Sequence, residues 1–442
     1  MLKYLLEKVL GDFYMKLDYK KTILVGFAFF IISAFWQAYD KTIPMLMTYK
    51  FNMSQLESGI IMALDNILAV FMLPLFGMLS DKTKTRFGRR TPFIVIGTIC
   101  AIVAFIFIPL IGNIVLFIAI LLVTLIAMAT FRSPAVALMP DVTCKPHRSK
   151  GNAIINLMGT AGGLLILVLG MVIKVGKEHM SNFFPYYIAA CGIMLLGLIV
   201  FILTVREPKW AKEMQENTEK YFPDNEAEER NTTAGGKLTK SQLVSLLLIL
   251  ASVALWYMGY NAITSKYSLY ADSVLNQSYD LTLMIAQAGA IIAYIPVGMV
   301  ASKIGRKKTI LAGVAMLATA FFVAIFMTSE SSPIFMYILF AIAGIGWATI
   351  NVNSFPMVVE LAKEGDVGKY TGWYYTASMS AQVITPILSG GIMDLFGNMS
   401  PLFPYASICV ALAFITMFFV KHGDSKPTQP KDKFEALAGA DD

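Results

Sequence analysis

Asp65, Arg132 and Asp40 stand within long apolar stretches of this 442-residue chain. At the centre of a bilayer an ionised side chain costs on the order of 2.5–3.5 kcal/mol, so each of the three needs a partner or a task. Asp65 falls near the middle of the stretch 55–79, Arg132 toward one end of 113–138, and Asp40, beside Lys41, in the latter half of 22–48. A carboxylate whose cationic partner approaches and withdraws can take up and release a proton. Asp65 is therefore expected to couple a proton, with Arg132 as the cation that modulates it and Asp40 as the next acid in line. The structural alternatives are a buried neutral acid at Asp65, a permanent ion pair at Arg132 and an interfacial site for Asp40 and Lys41. Asp394 and Lys266, near the ends of their stretches, read as snorkelling groups.

A second set of residues combines flat aromatic faces with amides: Trp36, Gln37 and Tyr39, then Trp256, Tyr257, Tyr260 and Asn261, then Gln287, Trp347, Asn351, Asn353 and Gln382. Aromatic faces pack on the C–H faces of a pyranose, and amides both donate to and accept from hydroxyls. The set points to a small polar, uncharged solute, with a sugar as the best match, over a hydrophobic drug. A membrane-interface belt is the competing reading for such aromatics, most of all for Trp373. His147, His179 and His422 lie in loops or tails, and the four cysteines show neither C-x-x-C nor metal-ligand spacing. No nucleophile–base pair or metal cluster emerges, so no enzyme activity, cofactor or metal is expected.

The elements that must hold these groups follow from composition. The chain is 57% hydrophobic and only 15% charged, with a mean hydropathy of +0.64. No water-soluble fold buries that much apolar surface, which excludes a soluble enzyme, a nucleic-acid-binding protein and a secreted disulfide scaffold. Twelve stretches are long enough to cross ~30 Å of hydrocarbon: 22–48, 55–79, 91–111, 113–138, 152–175, 184–204, 242–265, 280–301, 308–328, 333–359, 370–396 and 401–420. The expected fold is all-α, with two six-helix bundles, 22–204 and 242–420, joined by a polar linker, 205–241. Residues 1–21 form an amphipathic N-terminus or a tether, and 421–442 a tail. If the N-terminus lies in the cytoplasm, the cytoplasmic segments hold 30 Lys and Arg and the opposite ones 5. By the positive-inside rule both termini are then cytoplasmic in a cell membrane.

The halves repeat. Gly77-Met-Leu-Ser-Asp81-Lys82 and Gly298-Met-Val-Ala-Ser302-Lys303 end the second and eighth spans, 221 residues apart, and each leads into a basic glycine turn. Arg148-Ser-Lys-Gly151 and Lys369-Tyr-Thr-Gly372 repeat the same offset. Duplication across twelve spans signals a two-bundle transporter with its site between the halves.

The segment Gly77 to Ile94, with Asp81, Arg86, Gly88, Arg89, Arg90 and Pro92, resembles the loop 2–3 signature of the major facilitator superfamily. Its Arg-x-Gly-Arg-Arg-x-Pro-Phe-Ile form is similar to the sucrose–proton and glycoside–pentoside–hexuronide symporters, and Phe131 to Asp141 followed by Arg148 to Asn152 agrees. Thr91 departs from the third Arg of the sucrose-type pattern, and the aspartate pair of melibiose-type relatives is replaced by apolar residues. The resemblance implies that spans 1, 4, 7 and 10 line the cavity, which favours Trp36, Trp256 and Trp347. Asp81, at the C-terminal end of its helix, needs a cation against the helix dipole. An Asp81–Arg90 latch and an Asp141–Arg148 latch are expected at the cytoplasmic gate, unless these basic residues only enforce topology. Gly159 and Gly163 have the spacing of a close helix contact.

The expected function is proton-coupled uptake of a di- or oligosaccharide by alternating access, with a proton and the lipid bilayer as partners and no nucleic acid. The alternatives are an exporter or uniporter of another polar solute and, from a different class, a non-transporting solute sensor.

Overall fold

A segment inside a bilayer has no water to satisfy its backbone N–H and C=O groups, so each apolar stretch must close its hydrogen bonds internally as a helix. The computed structural model describes residues 17–144, 148–221, 239–359, 361 and 367–422, which are helical throughout apart from turns and short connections. The first half contains α1 (Tyr19–Tyr49), α2 (Gln55–Lys82), α3 (Thr91–Phe107), α4 (Ile114–Val142), α5 (Arg148–Val172) and α6 (Phe183–Thr204). A further helix, α7 (Glu207–Tyr221), follows. The second half contains α8 (Lys240–Tyr270), α9 (Tyr279–Ile304), α10 (Arg306–Ala324), α11 (Pro333–Val359), α12 (Val367–Phe396) and α13 (Leu402–Phe418). Among the described residues ten helices are long and apolar enough to cross a membrane, and two shorter apolar ones, Tyr279–Tyr294 and Leu402–Phe418, accompany them. The protein is an all-α, multi-pass membrane protein.

Local sequence sets the helix starts. Ser54 and Glu57 form a reciprocal capping box on α2, Thr239 and Gln242 do the same on α8, and Asn113 accepts from two amides at the head of α4. Large apolar side chains such as Phe71, Val115, Val172, Ile292 and Leu395 stay exposed on the outer surface. That ring of exposed hydrocarbon is unaffordable in water and suits contact with lipid.

In the first half α1 packs on α5 and α6, and α4 on α2 and α3; in the second, α11 packs on α9 and α10, and α13 on α8 and α10. The halves meet where α1 touches α8, α5 touches α9 and, most extensively, α2 touches α12. Small residues let the last pair approach: a Cβ on Gly59 would strike the Pro386 carbonyl, and one on Gly390 the Gln55 carbonyl.

The two ends of the bundle differ. One carries the loops with Asp81, Arg89 and Arg90 and is called the basic end below. The far end carries the α1–α2, α8–α9 and α12–α13 connections. The linker departs from the sequence reading, since 207–221 is helix packed on α4 and not merely a polar connector. Residues 1–16, 222–238 and 423–442, which complete the expected N-terminus, linker and tail, lie outside the described residues, as does His147.

Candidate functional site

Two adjoining cavities lie between the halves. The larger has a volume of about 530 Å³ and is lined from the first half by Trp36, Gln37, Asp40, Arg132 and Asn156, and from the second by Tyr260, Tyr279, Gln287, Tyr294 and Trp347. Its walls run toward the basic end as far as Phe29 on α1 and Tyr294 on α9. The smaller, about 320 Å³, is lined by Asp65, Asn66, Tyr257, Asn261, Tyr375, Ser378 and Gln382, and shares Trp36, Asp40, Arg132 and Thr264 with the first. Trp36 and Arg132 therefore form part of the wall between them, with the guanidinium 5.8 Å from the indole centroid.

The aromatic surface of the larger cavity is held by its own stacking. Tyr260 lies 3.7 Å from Trp347 at an interplanar angle of 6°, and Tyr257 meets the same indole edge-on at 5.2 Å. At the roof, Gln37 donates to the Tyr279 hydroxyl at 3.0 Å and accepts from Gln287 Nε2 at 3.0 Å, linking the halves. Trp36 Nε1, Asn261 Nδ2 and Gln287 Oε1 are buried and without a hydrogen-bond partner among the described residues. Buried polar groups are normally paired, so three such groups on cavity walls are available to a polar ligand.

Several expected residues are elsewhere. Trp256 is fully buried in the second half and lines neither cavity, because its position on α8 turns it away from the boundary. Tyr39 is buried against Phe35 and Trp36. Asn353 donates to the Thr349 carbonyl of its own helix at 3.0 Å, and Asn351 lies outside both linings. The close α1–α5 contact uses Gly159 and Gly162, where a Cβ would meet Ser33 and the Phe30 carbonyl, while Gly163 faces the larger cavity.

The intramembrane charges fall differently from their expected pairing. Asp65 accepts from the amide and Nδ2 of Asn66, at 2.6 and 2.8 Å, and among the described residues neither Asp65 nor Arg132 forms an ion pair. Lys41 is not interfacial: it is buried and bonds both carboxylate oxygens of Asp280, at 2.7 and 2.6 Å. Lys266 does not snorkel either, being buried and donating to the Gln55 carbonyl at 2.9 Å. Asp394 accepts from the Gln55 and Leu56 amides at 2.8 and 2.7 Å, capping α2 from the opposite half. Sequence reading passed over Asp280, although an acid at a helix start is a readable signal.

The basic end holds a compact charge cluster. Buried Arg90 bonds Asp81, Ser80 and, through Nε at 2.8 Å, Asp141. Arg89 reaches Asp141 at 2.6 Å, and this hydrogen bond raises the guanidinium above its already high pKa. Asp141 thus pairs with Arg89 and Arg90; the expected Asp141–Arg148 latch falls on a side chain that lies outside the described residues. Arg86 stands 4.6 Å over the Phe87 ring, and the Gly77 carbonyl accepts weakly from Arg90 at 3.4 Å.

Glu207, at the start of α7, was missed by sequence reading. Its carboxylate accepts from the amides of Arg89, Arg90 and Thr91 at 2.7, 2.9 and 2.7 Å, and from the Thr91 hydroxyl at 2.7 Å. It satisfies amides at the head of α3 and favours the dipole there. Gly88, at φ +110°, turns the loop into place and leaves no room for a Cβ beside that carboxylate. The Pro208 that follows Glu207 is the sequence signal for a helix start at this point.

Comparisons with known proteins agree with this architecture. The chain is 22% identical over 410 residues to an uncharacterized MFS-type transporter of Methanocaldococcus jannaschii, covering 91% of this chain and 95% of that one. It is similar in structure to the xylose transporter XylE of E. coli in an inward-open conformation, with a TM-score of 0.66, 13% identity and coverage of 93% and 98%. It is also similar to the nucleoside transporter NupG, with a TM-score of 0.64, 14% identity and coverage of 90% and 99%. A POT family transporter in complex with 5-aminolevulinic acid gives a TM-score of 0.68 at 10% identity, with 91% and 95% covered. At these identities the structures attest the fold alone. The family described as MFS/sugar transport protein matches residues 24–399. With twelve apolar helices in two halves around a shared cavity, the chain belongs to that family and is a transport protein, not an enzyme.

Proposed function

We propose that the protein carries a sugar, a di- or oligosaccharide, through the membrane by alternating access and couples that movement to a proton. The observation that carries the reading is the larger cavity: about 530 Å³ of space between the halves, walled by the Tyr260–Trp347 stack and by the amides of Gln37 and Gln287. This volume falls within the ~300–1,000 Å³ typical of small-molecule sites. The unpartnered Trp36 Nε1 and Gln287 Oε1 offer one donor and one acceptor to hydroxyls. Asp65, next door and free of a cation, is the proposed proton carrier, with Arg132 as the charge that tunes it and Asp40 as the second acid facing both cavities.

The positive-inside rule sets the orientation in this reading. The basic end and both termini face the cytoplasm of a cell membrane, the cavity faces inward, and the Asp81–Arg90–Asp141 cluster works as the cytoplasmic gate. Purified protein in proteoliposomes, offered a panel of labelled mono-, di- and oligosaccharides with and without a pH gradient, tests the proposal. Saturable uptake of at least one sugar, driven to accumulation by the gradient, is the expected result. Failure to take up any sugar while a nucleoside or peptide is transported would replace the sugar by that solute. Uptake that never exceeds equilibrium under a pH gradient would remove the proton.

A further inference from the structure

At the far end one ion pair crosses between the halves in a dry setting. Lys41 on α1 and Asp280 on α9 expose only 3% and 7% of their side chains and meet at 2.6 Å. The ammonium also lies 5.1 Å from the Tyr186 ring centroid. Gly170 on α5 makes the space, since a Cβ there would strike both charged groups. The pair stands just beyond the cavity roof, because Lys41 is one helical turn from Gln37 and Asp280 adjoins Tyr279.

We infer that Lys41 and Asp280 are the positioning residues that latch the far end shut during the transport cycle. This rests on the alternating-access reading above. A buried pair acts through the cost of breaking it in place: loss of one partner strands an uncompensated charge in a dry site, whereas apolar residues at both positions leave none. When the far end opens, both groups reach water and either charge is tolerated alone. Single substitutions therefore penalise only the closed state, and the double apolar substitution relieves it. The same logic gives a third route: Gly170→Ala keeps both charges but wedges them apart.

The test measures distances between spin labels on the full chain in lipid nanodiscs, in a Cys100→Ser background; the other three cysteines are buried. Gly112→Cys with Ser329→Cys reports on the far end, and Lys84→Cys with Lys308→Cys on the basic end. Lys41→Met and Asp280→Leu are each expected to raise the ratio of far-end-open to closed molecules by about 100-fold or more. Lys41→Met combined with Asp280→Leu should return the closed distance, which also shows that the substituted protein folds. Gly170→Ala should open the far end with both charges present. If either single variant stays closed, or if the double variant is as open as the singles, the latch is overturned. If the far end opens in the singles while the basic-end distance does not shorten, the latch stands and alternating access fails.

Discussion

Asp65 spends its hydrogen-bonding capacity on Asn66, its own neighbour in the chain, and leaves Arg132 to lie against Trp36. A carboxylate without a cation in a half-polar cavity can be protonated without breaking an ion pair. Asp65→Asn mimics the protonated form, so in proteoliposomes it should abolish accumulation driven by a pH gradient yet retain exchange between compartments at equal pH. Retained accumulation would transfer the coupling role to Asp40. The two tryptophans make a second contrast. Trp347→Ala removes the partner of Tyr260 and should weaken apparent substrate affinity by about 5-fold or more, the equivalent of ~1 kcal/mol of aromatic contact. Trp256→Ala touches neither cavity, so it should leave affinity unchanged and lower the melting temperature in detergent, since loss of a buried Trp costs roughly 3–5 kcal/mol.

At the scale of elements, the loop between α2 and α3 is held by two carboxylates of unequal weight. Asp81 is 55% exposed at its side chain while Asp141 is 14% exposed and serves both arginines. An exposed partner is worth ~1 kcal/mol or less, and removing a buried one costs several. Asp141→Asn should therefore slow transport more than Asp81→Asn, with substrate binding kept in both, as measured by uptake and by ligand-induced tryptophan fluorescence. Glu207→Ala leaves the three amides at the head of α3 without their acceptor and should destabilise the protein by ~1–3 kcal/mol, read as a lowered melting temperature. Element existence was legible in the sequence because each span is a long apolar run, several of them with a side-chain cap or a glycine turn at the boundary. The linker helix was not, since α7 is polar and its anchor is one carboxylate meeting backbone amides more than a hundred residues earlier. The cavity residues were legible only by type. Whether Trp256 or Trp347 faces the boundary depends on helix rotation, and in helices apolar all round the sequence carries no stripe to fix it.

For the whole molecule, the two cavities sit on the boundary that the repeat of Gly77 and Gly298 foretold, and the left-handed glycines Gly88 and Gly305 stand at matching turns of the two halves. The second turn has Ser302 where the first has Asp81, and its Lys307 donates to the Phe418 and Val420 carbonyls, at 2.8 and 2.6 Å, closing the end of α13. Among the described residues the ion-pair cluster at the basic end belongs to the first half. Tags at the two termini should both be reached by a membrane-impermeant probe from the cytoplasmic face only. A tag reached from outside would invert the proposed orientation and make the cavity face outward.

The far-end faces carry opposite signs. On the first half Lys41, Lys50, Lys174 and Lys177 outnumber Asp40, Glu57 and Glu178; on the second, Asp272, Asp280, Glu330 and Asp394 outnumber Lys266. Tyr49 donates to Asp272 at 2.6 Å, and the α2 amides meet Asp394, so the same polarity runs through the neutral donors. Two such surfaces attract before they touch, and mobile ions weaken that attraction as the Debye length shrinks from ~10 Å at 0.1 M salt to ~3 Å at 1 M. Once the faces are joined the Lys41–Asp280 pair is dry and beyond the reach of salt, while Lys174, Lys177, Glu330 and Asp394 stay exposed at the rim. Ionic strength on that side of the membrane therefore acts on the rate of closing more than on the rate at which the buried pair parts, which makes the dwell time of the open state a function of salt.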